Sequence, residues 1–259
     1  MILVDAHAHL DHPDFDKDLA EVIERAKSAG VSSIISNGVN PETNRKTLEI
    51  AKKFDIVKPA LGIYPPSALQ REINHNAFPL KPDVFDVEAE ISFIRRNRNK
   101  IAAIGEVGLD YESGNPDDDQ EGLFELMIDL ANEIKKPLIV HSRKAEQAVL
   151  DALESNSAKK VLLHCFCGKT SLIKRAADAG YCFSIPANIV RAHNFQNMAK
   201  IIDISRILTE TDAPYLSPFR DKRNEPAFII ETIRKIAEIK GMNPEEVSQN
   251  IYMNFRKFF

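Results

Sequence analysis

The sequence lacks the long apolar run that a membrane-spanning helix needs. No stretch of its 259 residues approaches the roughly 18 consecutive apolar residues of such a helix. The amino terminus also lacks the uninterrupted apolar core of a secretory signal, because Asp5 and three histidines stand close to its start. We therefore expect a cytoplasmic protein with no membrane association.

Cysteine is scarce as well. Cys165, Cys167 and Cys182 are an odd number and include no C-x-x-C pair, so nothing indicates a disulfide framework. Cys165 and Cys167, in the stretch HCFCG, have sulfur atoms that could bind a soft metal. Because buried free thiols are the commoner outcome for such residues, we expect free thiols here.

A strong net charge is also absent. The chain has 34 basic and 38 acidic residues, a formal charge of −4, so its surface as a whole does not attract polyanions. This argues against a non-specific duplex-binding protein. It does not exclude an enzyme that grips one end of a nucleic acid, because bound divalent metals add local positive charge.

What the sequence does have is an alternation of short apolar runs with longer amphipathic segments. In residues 18–30, for example, Leu19, Val22, Ile23 and Ala26 fall on one helical face, and Gly30 stands where a helix would end. The short runs, which are rich in β-branched residues, are 1–7, 31–36, 57–63, 101–106, 137–141, 160–164, 181–185 and 206–210. The units of run and segment average about 32 residues.

Eight such units predict the α/β class and a (β/α)8 TIM barrel, because parallel strands joined by helices close into a barrel at this number. We expect one barrel domain, residues 1–259, and an additional C-terminal helix from about Asn243, with Pro244 at its first position. Residues 65–85 and 213–226 interrupt the alternation and are expected to be long loops at the rim of an active site.

The stretch VDAHAHLDH at residues 4–12 holds three histidines. In an extended chain the side chains at i and i+2 point to the same face, so His7 and His9 converge and His12 does not join them. Asp5 lies in phase with this pair, one step deeper, where it could orient a ligand imidazole.

Four more polar groups stand where predicted strands end. Glu106, His141 and His164 close the fourth, fifth and sixth strands, and Asp212 follows the eighth. Barrel active sites are built at this end of the strands. Together with the histidine pair these are six groups, more than the three protein ligands of a typical catalytic zinc. They favour two divalent metals with Glu106 as the bridge, and nitrogen and oxygen ligands suit zinc, manganese or magnesium.

Six motifs, in this order and spacing, resemble those of the TatD-type metal-dependent deoxyribonucleases, a family of the amidohydrolase-like barrels. They are DAHAHL (5–10), GEVGLDY (105–111), PLIVHSR (137–143), HCF (164–166), LTETDAPY (208–215) and RNEP (223–226). The resemblance runs nearly end to end.

The resemblance implies which residues hold which metal. One ion would be held by His7, His9, Glu106 and Asp212, and the other by Glu106, His141 and His164. It also implies hydrolysis of phosphodiester bonds by exonuclease action, with DNA ends or single-stranded DNA as the substrate.

One position departs from the family pattern. The family commonly has G-x-H-P after the third strand, whereas residues 62–65 read GIYP and Tyr64 takes the place of the histidine. Tyrosine could donate a hydrogen bond to a phosphate oxygen, but with a pKa near 10 it does not readily shuttle protons at neutral pH. Tyr64 is therefore a candidate substrate contact, and the substrate preference stays open.

For the mechanism, we expect a metal-activated hydroxide to attack phosphorus in line, with Glu106 and Asp212 as the catalytic residues and Asp212 as general base. Arg143 and Arg223 are candidate phosphate clamps, and rim salt bridges are the alternative for both. Glu210, in phase with Asp212, is a candidate contact to a ligand or substrate.

Other polar residues carry weaker expectations. We interpret His12, His75 and His193 as surface or structural histidines. Lys169 and Arg191, at the starts of the sixth and seventh helices, are further candidate phosphate contacts. The sequence does not indicate any protein partner.

Two other functions compete with the nuclease. A two-metal hydroxide also attacks a carbonyl carbon, so an amidohydrolase, lactonase or deacylase is the alternative. Many barrels of that kind bridge their metals with a modified lysine on the fourth strand, where this chain has Glu106. A non-catalytic binding protein is disfavoured because all six ligand-type residues are present.

Overall fold

A computed structural model describes residues 1–74, 85–112 and 118–259. Its parallel strands form one eight-stranded sheet in the sequential order β1 to β8. The strands are β1 (Leu3–Ala8), β2 (Val31–Asn37), β3 (Val57–Leu61), β4 (Ala103–Gly108), β5 (Leu138–His141), β6 (Val161–His164), β7 (Cys182–Pro186) and β8 (Ile207–Glu210). Each overlaps one of the eight predicted runs.

The two edge strands of this sheet lie side by side. The Thr209 hydroxyl on β8 donates to the Val4 carbonyl on β1 at 2.7 Å. Just beyond the strands, the Asp212 amide donates to the His7 carbonyl at 2.9 Å and the His9 amide to the Ala213 carbonyl at 2.8 Å. The sheet therefore curls into a nearly closed TIM barrel, as predicted.

Helices alternate with the strands and pack around them. Within the described ranges they are α1 (Leu19–Ser28), α2 (Pro41–Lys53), α3 (Pro66–Asn74), α4 (Val87–Arg96), α5 (Asp118–Ile134), α6 (Glu146–Ser155), α7 (Thr170–Asp178), α8 (His193–Ile201), α9 (Ile229–Lys240) and α10 (Pro244–Phe258). On α1, Val22, Ile23 and Ala26 are buried as their spacing predicts, and the chain leaves the helix through Gly30 at a φ of +95°. Glycine suits this turn because it has no Cβ.

The additional C-terminal helix, α10, is present and begins where the sequence places it. The Asn243 side chain accepts a hydrogen bond from the Glu245 amide, and Pro244 opens the helix. Its Ser248 hydroxyl donates to the Ile2 carbonyl at 2.6 Å, and Asn254 donates to the Ile207 carbonyl at 2.9 Å. The helix is thereby fastened to the amino-terminal ends of β1 and β8.

The interpretation of residues 65–85 as one long loop is wrong for its first part. Residues 66–74 form α3. Pro66 does not prevent this helix, because the amide at the first helical position has no hydrogen-bond partner within the helix and proline therefore loses nothing there. Ala68 and Leu69 on this helix pack in a small apolar cluster with Val39 and Tyr64. Residues 75–84, which include His75, lie outside the described residues.

No helix in the described ranges combines the length and the apolar character that a membrane span requires. The cytoplasmic location stays a prediction.

The end of β3 lies directly against the backbone of Glu106. Asn44 on α2 fixes this end, since its side chain donates to the Gly62 carbonyl at 2.9 Å and accepts from the Gly62 amide at 3.2 Å. A Cβ atom on Gly62 would lie 2.6 Å from the Glu106 nitrogen and closer still to the Glu106 carbonyl oxygen. Only glycine fits here without moving Glu106.

We expect Gly62→Ala to destabilise the protein by about 1–3 kcal/mol, because the added methyl group overpacks a backbone that cannot move aside. Gly122→Ala is the matched control: Gly122 is exposed on α5, nothing lies within 4 Å of the place that the new methyl group would take, and alanine there should stabilise the helix by up to about 1 kcal/mol. Urea unfolding measures both. Equal stability of the two variants would contradict the close approach.

Candidate metal centre

The six predicted metal ligands converge at the carboxyl end of the barrel. His7, Glu106, His141 and His164 lie on β1, β4, β5 and β6, while His9 and Asp212 follow β1 and β8. Because the strands are parallel, these ends meet on one side of the molecule. All four histidines and Glu106 are buried.

One group of atoms surrounds a single point beside β1. The Nε2 atoms of His7 and His9 are 3.1 Å apart. Oε2 of Glu106 lies 3.4 Å from the first and 3.3 Å from the second. Oδ1 of Asp212 lies 3.5 Å and 3.6 Å from the same two nitrogens.

A second group surrounds the other oxygen of the same carboxylate. Oε1 of Glu106 lies 3.0 Å from Nε2 of His164 and 3.1 Å from Nδ1 of His141. These two nitrogens are 3.4 Å apart. Glu106 thus contributes one oxygen to each group.

These separations fit metal coordination. Four ligands placed 2.0–2.1 Å from a tetrahedral zinc ion are about 3.4 Å from one another. Two of the groups that could hold a metal ion are His7, His9 and Glu106, and Glu106, His141 and His164. A third, His7, His164 and Glu210, overlaps both. The donor atoms are imidazole nitrogens and carboxylate oxygens, which suit zinc and manganese.

The outer nitrogens of three histidines face hydrogen-bond acceptors. Nδ1 of His9 lies 3.1 Å from the Asn37 carbonyl, and Nε2 of His141 lies 3.1 Å from Oδ2 of Asp110. Nδ1 of His164 points toward Oε2 of Glu210, but at 3.6 Å the two atoms are too far apart for a hydrogen bond. A proton held on the outer nitrogen leaves the lone pair of the inner nitrogen pointing into the cluster, as metal-binding histidines require.

Asp5 does not orient an imidazole. Its carboxylate accepts hydrogen bonds from the Thr211 amide at 2.9 Å and hydroxyl at 2.5 Å and from the His7 amide at 3.3 Å. Burial raises the pKa of Asp5 to about 8, although the hydrogen bonds from Thr211 and His7 act against this. Asp5 therefore ties the backbone of β1 to the segment that carries Asp212.

Burial and mutual contacts set the protonation of the cluster. Burial acts to raise the pKa of Glu106, but the imidazoles of His164 and His7 and the hydrogen bond from His141 hold this pKa well below its usual range. Burial, with help from the neighbouring His164, lowers the pKa of His7. Glu106 is therefore an anion and His7 is neutral, the two forms that offer lone pairs to a cation. Burial acts to lower the pKa of the other three imidazoles, but the neighbouring carboxylates raise it, to about 9 for His9 and above the usual value for His141 and His164, so a cation would have to displace their protons.

Asp212 has a special backbone conformation. Its φ is +56°, in the left-handed region that aspartate tolerates better than most residues. Its side chain is 14% exposed, and burial raises its pKa to about 7 against the lowering effect of His164 and His9. A carboxylate with this pKa can accept a proton near neutral pH.

A cavity of about 540 Å³ opens over the cluster, and Tyr64 and Arg143 line it together with five of the six predicted ligands. The Tyr64 hydroxyl lies 3.1 Å from Nε2 of His141 and donates to Oδ2 of Asp110 at 3.3 Å. The Arg143 side chain is 46% exposed, with Nη1 3.6 Å from the same Asp110 oxygen. Both therefore lie where a bound substrate would reach them.

Glu210 and Arg223 are not among the described residues that line this cavity. Glu210 accepts hydrogen bonds from the Cys165 amide at 3.0 Å and from the Ser184 hydroxyl. Arg223 grips both carboxylate oxygens of Asp18, at 3.0 Å and 2.6 Å, and so forms the rim salt bridge that was its alternative role. Glu210 lies beside a predicted metal ligand, with Oε2 3.6 Å from Nδ1 of His164, and its expected contact to a ligand or substrate stays a prediction.

Sequence reasoning missed Asp110 and Arg71. The Asp110 carboxylate is fully buried and accepts hydrogen bonds from Arg71 at 3.0 Å and from the Glu112 amide at 2.9 Å. Burial acts to raise the pKa of Asp110, but hydrogen bonds from His141 and Arg71 hold it well below its usual value. Asp110 stands in the motif GEVGLDY, four residues after Glu106, whereas no local pattern points to Arg71.

The other described histidines and the cysteines contribute no ligand atom to the two groups around Glu106. His12 is buried and caps a short 3-10 helix by accepting from the Asp14 amide at 3.1 Å, and His193 is exposed at the start of α8. All three cysteines are free thiols, but none is fully buried: Cys165 and Cys182 are half-buried and Cys167 is exposed.

The chain is similar to known proteins over nearly its whole length. The family model described as TatD related DNase matches residues 4–259. Deoxyribonuclease TATDN3 of Homo sapiens is 35% identical over 263 residues, which cover 99% of this chain and 94% of that protein. The metal-dependent hydrolase YabD of Bacillus subtilis is 33% identical over 267 residues, covering 100% and 99%.

A solved structure shares the fold. YJJV, a TatD homolog from Escherichia coli, superposes with a TM-score of 0.84 at 23% identity, covering 99% of this chain and 97% of that one. The match of the family model to nearly every residue decides the assignment. The protein is a hydrolase, and it belongs to the TatD related DNase family.

Proposed function

We propose that this protein is an exonuclease that hydrolyses the phosphodiester bonds of DNA ends or single strands with two divalent metal ions. The observation that carries the proposal is the bridging position of Glu106, whose two oxygens each lie within 3.4 Å of two imidazole nitrogens. The human relative with 35% identity is named a deoxyribonuclease, which supports DNA as the substrate.

Seven contacts divide among the two ions. His7, His9, Glu106 and Asp212 would hold one ion, and Glu106, His141 and His164 the other. Zinc, manganese or magnesium bound there would supply positive charge against the developing charge on the phosphate and would acidify the attacking water.

The chain's own residues would do the rest. Asp212 borders the cavity, and with its pKa raised to about 7 by burial it can orient the attacking water and take its proton. Arg143 can approach a phosphate oxygen because its guanidinium is half-exposed at the same cavity. The Tyr64 hydroxyl can donate a hydrogen bond but keeps its proton at neutral pH.

We expect the purified protein to release nucleotides from single-stranded DNA in the presence of magnesium, manganese or zinc, and to stop when a chelator is added. Nucleotide release is measured with an end-labelled strand, and a panel of esters and amides is tested in parallel. Turnover of an ester or amide without any nucleotide release would sink the nuclease proposal and favour hydrolysis of a carbonyl substrate.

We expect His141→Ala to lower the bound metal by about one ion per chain, because the second group then keeps only Glu106 and His164. Metal analysis by mass spectrometry measures this. His193→Ala, an exposed histidine on α8, is the control and should keep the full content. Unchanged metal content in His141→Ala would contradict its role as a ligand.

We expect Asp212→Asn to lower kcat on single-stranded DNA by about 10²–10⁴, because the amide cannot accept a proton. Asp221→Asn, which changes an exposed carboxylate of the same loop, should leave kcat near the wild-type value. Metal analysis of both proteins separates loss of the base from loss of the ion. Wild-type kcat in Asp212→Asn would remove Asp212 from the mechanism.

A further inference from the structure

Positive charge is concentrated on one half of the rim, although the whole chain is slightly acidic. The segments after β5, β6, β7 and β8 are 142–145, 165–169, 187–192 and 211–228. Their basic residues are Arg143, Lys144, Lys169, Arg191, Arg220, Lys222 and Arg223, and their acidic residues are Asp212, Asp221 and Glu225. Asp212 belongs to the metal centre, and Glu225 is paired with Arg25 at 2.6 Å.

The segment that borders the loop after β8 on its other side, across the junction of β8 and β1, has the reverse charge. The segment after β1, residues 9–18, holds Asp11, Asp14, Asp16 and Asp18 against a single cation, Lys17. Asp18 is paired with Arg223 and Asp16 with Lys46, both at 2.6 Å, while Asp14 is half-exposed. A polyanion that approaches the cavity is therefore attracted more strongly on the β5–β8 side than on the β1 side.

Three cations on the basic side are available to a ligand. Lys169, Arg220 and Lys222 are exposed, and among residues 1–74, 85–112 and 118–259 no carboxylate lies within ion-pair distance of them. Arg191 has a different role, since it donates to the carbonyls of Pro218 and Ser217 at 2.8 Å and 2.6 Å. It thereby holds the part of the loop directly before Arg220 and Lys222.

An exposed aromatic ring stands among these cations. Phe219 is 41% exposed, and the ammonium group of Lys222 lies 5.3 Å from its ring centre. Tyr215 and Leu216, which line the cavity, precede Phe219 in the same loop by only three or four residues. Aromatic rings beside cations are the usual platform for the unpaired bases of single strands.

We propose that Lys169, Phe219, Arg220 and Lys222 form a basic arc on which the part of a DNA single strand beyond the cleaved bond lies. The strand then enters the cavity over the loops that follow β6 and β8 and avoids the acidic segment after β1. This rests on the proposed function, and it adds the path of the strand and the preference for unpaired bases, since a duplex has no free base face for Phe219.

The test compares binding and cleavage in the metal-loaded protein. Fluorescence anisotropy measures the Kd for a phosphorothioate single strand of about twenty nucleotides over a range of salt concentrations. In the variant Lys169→Ala, Arg220→Ala, Lys222→Ala we expect the logarithmic salt slope to fall by about 2, since each single-strand phosphate contact contributes about 0.7. Hydrolysis of a dinucleotide, which is too short to reach the arc, should not change.

Matched controls separate the arc from total charge. Lys52→Ala, Lys53→Ala, Lys100→Ala removes three exposed cations from the opposite face of the barrel and should keep the wild-type salt slope. Phe219→Ala should weaken binding of the normal strand by about tenfold and leave binding of an abasic strand unchanged.

The outcomes are distinct. An unchanged salt slope in the arc variant, or an equal loss in the control variant, overturns the arc. An equal loss of dinucleotide hydrolysis also overturns it, because the residues would then act inside the cavity. Arc-dependent binding with no cleavage of either substrate supports the arc and contradicts the proposed nuclease activity, whereas cleavage without dependence on the arc overturns the arc alone.

Discussion

A single buried carboxylate, that of Glu106, organises the functional end of this barrel. An anion out of contact with water is costly unless neighbouring groups stabilise it, and here four imidazoles lie within 3.4 Å of its oxygens. That arrangement requires β1, β5 and β6 to end around β4, which only a closed parallel barrel provides. The outer contacts of His9 and His141 then fix the ring nitrogens that face Glu106. The positions of the strand ends and the stability of the buried carboxylate therefore depend on each other.

Two backbone positions around the centre adopt unusual arrangements that this placement requires. Gly62 approaches Glu106 so closely that no side chain fits, and Asp212 adopts a φ of +56°. Such conformations persist only where surrounding contacts hold them. Asn44 holds Gly62 from α2, and Asp5 holds the segment before Asp212 through Thr211. Residues that never reach the cavity thus decide where the ligands stand.

The sequence predicts the strands and the convergence of the six ligands because both follow from local periodicity together with the geometry of a parallel barrel. It fails where the deciding contact is distant in the chain. Arg223 binds Asp18 across the junction between the loop after β8 and the segment after β1. Arg71 binds Asp110 from α3, a helix that the sequence does not predict because two prolines stand at its start. Asp110 follows Gly108, whose φ of +140° ends the alternation of β4, so period two does not place it. The role expected for Asp5 is wrong because its carboxylate accepts from the backbone amide of His7 and not from the imidazole ring. The alternation along a strand does not distinguish these two groups of the same residue.

A nucleic acid is a polyanion, and the carboxylates of Glu106, Asp212 and Asp110 lie at or beside the cavity that would receive it. On the proposed function, two sources of positive charge must overcome that repulsion, and they act over different distances. Cations held by the centre would act on the phosphate that reacts, where neighbouring protein excludes much of the screening salt. The proposed arc would act on phosphates at the surface, where screening beyond about 8 Å is strong at physiological salt. Added salt should therefore weaken binding of the strand much more than it slows hydrolysis of the bound strand. A chain of net charge −4 can still bind a polyanion, because the charge at the entrance of the cavity governs the approach and the sum over the whole surface does not.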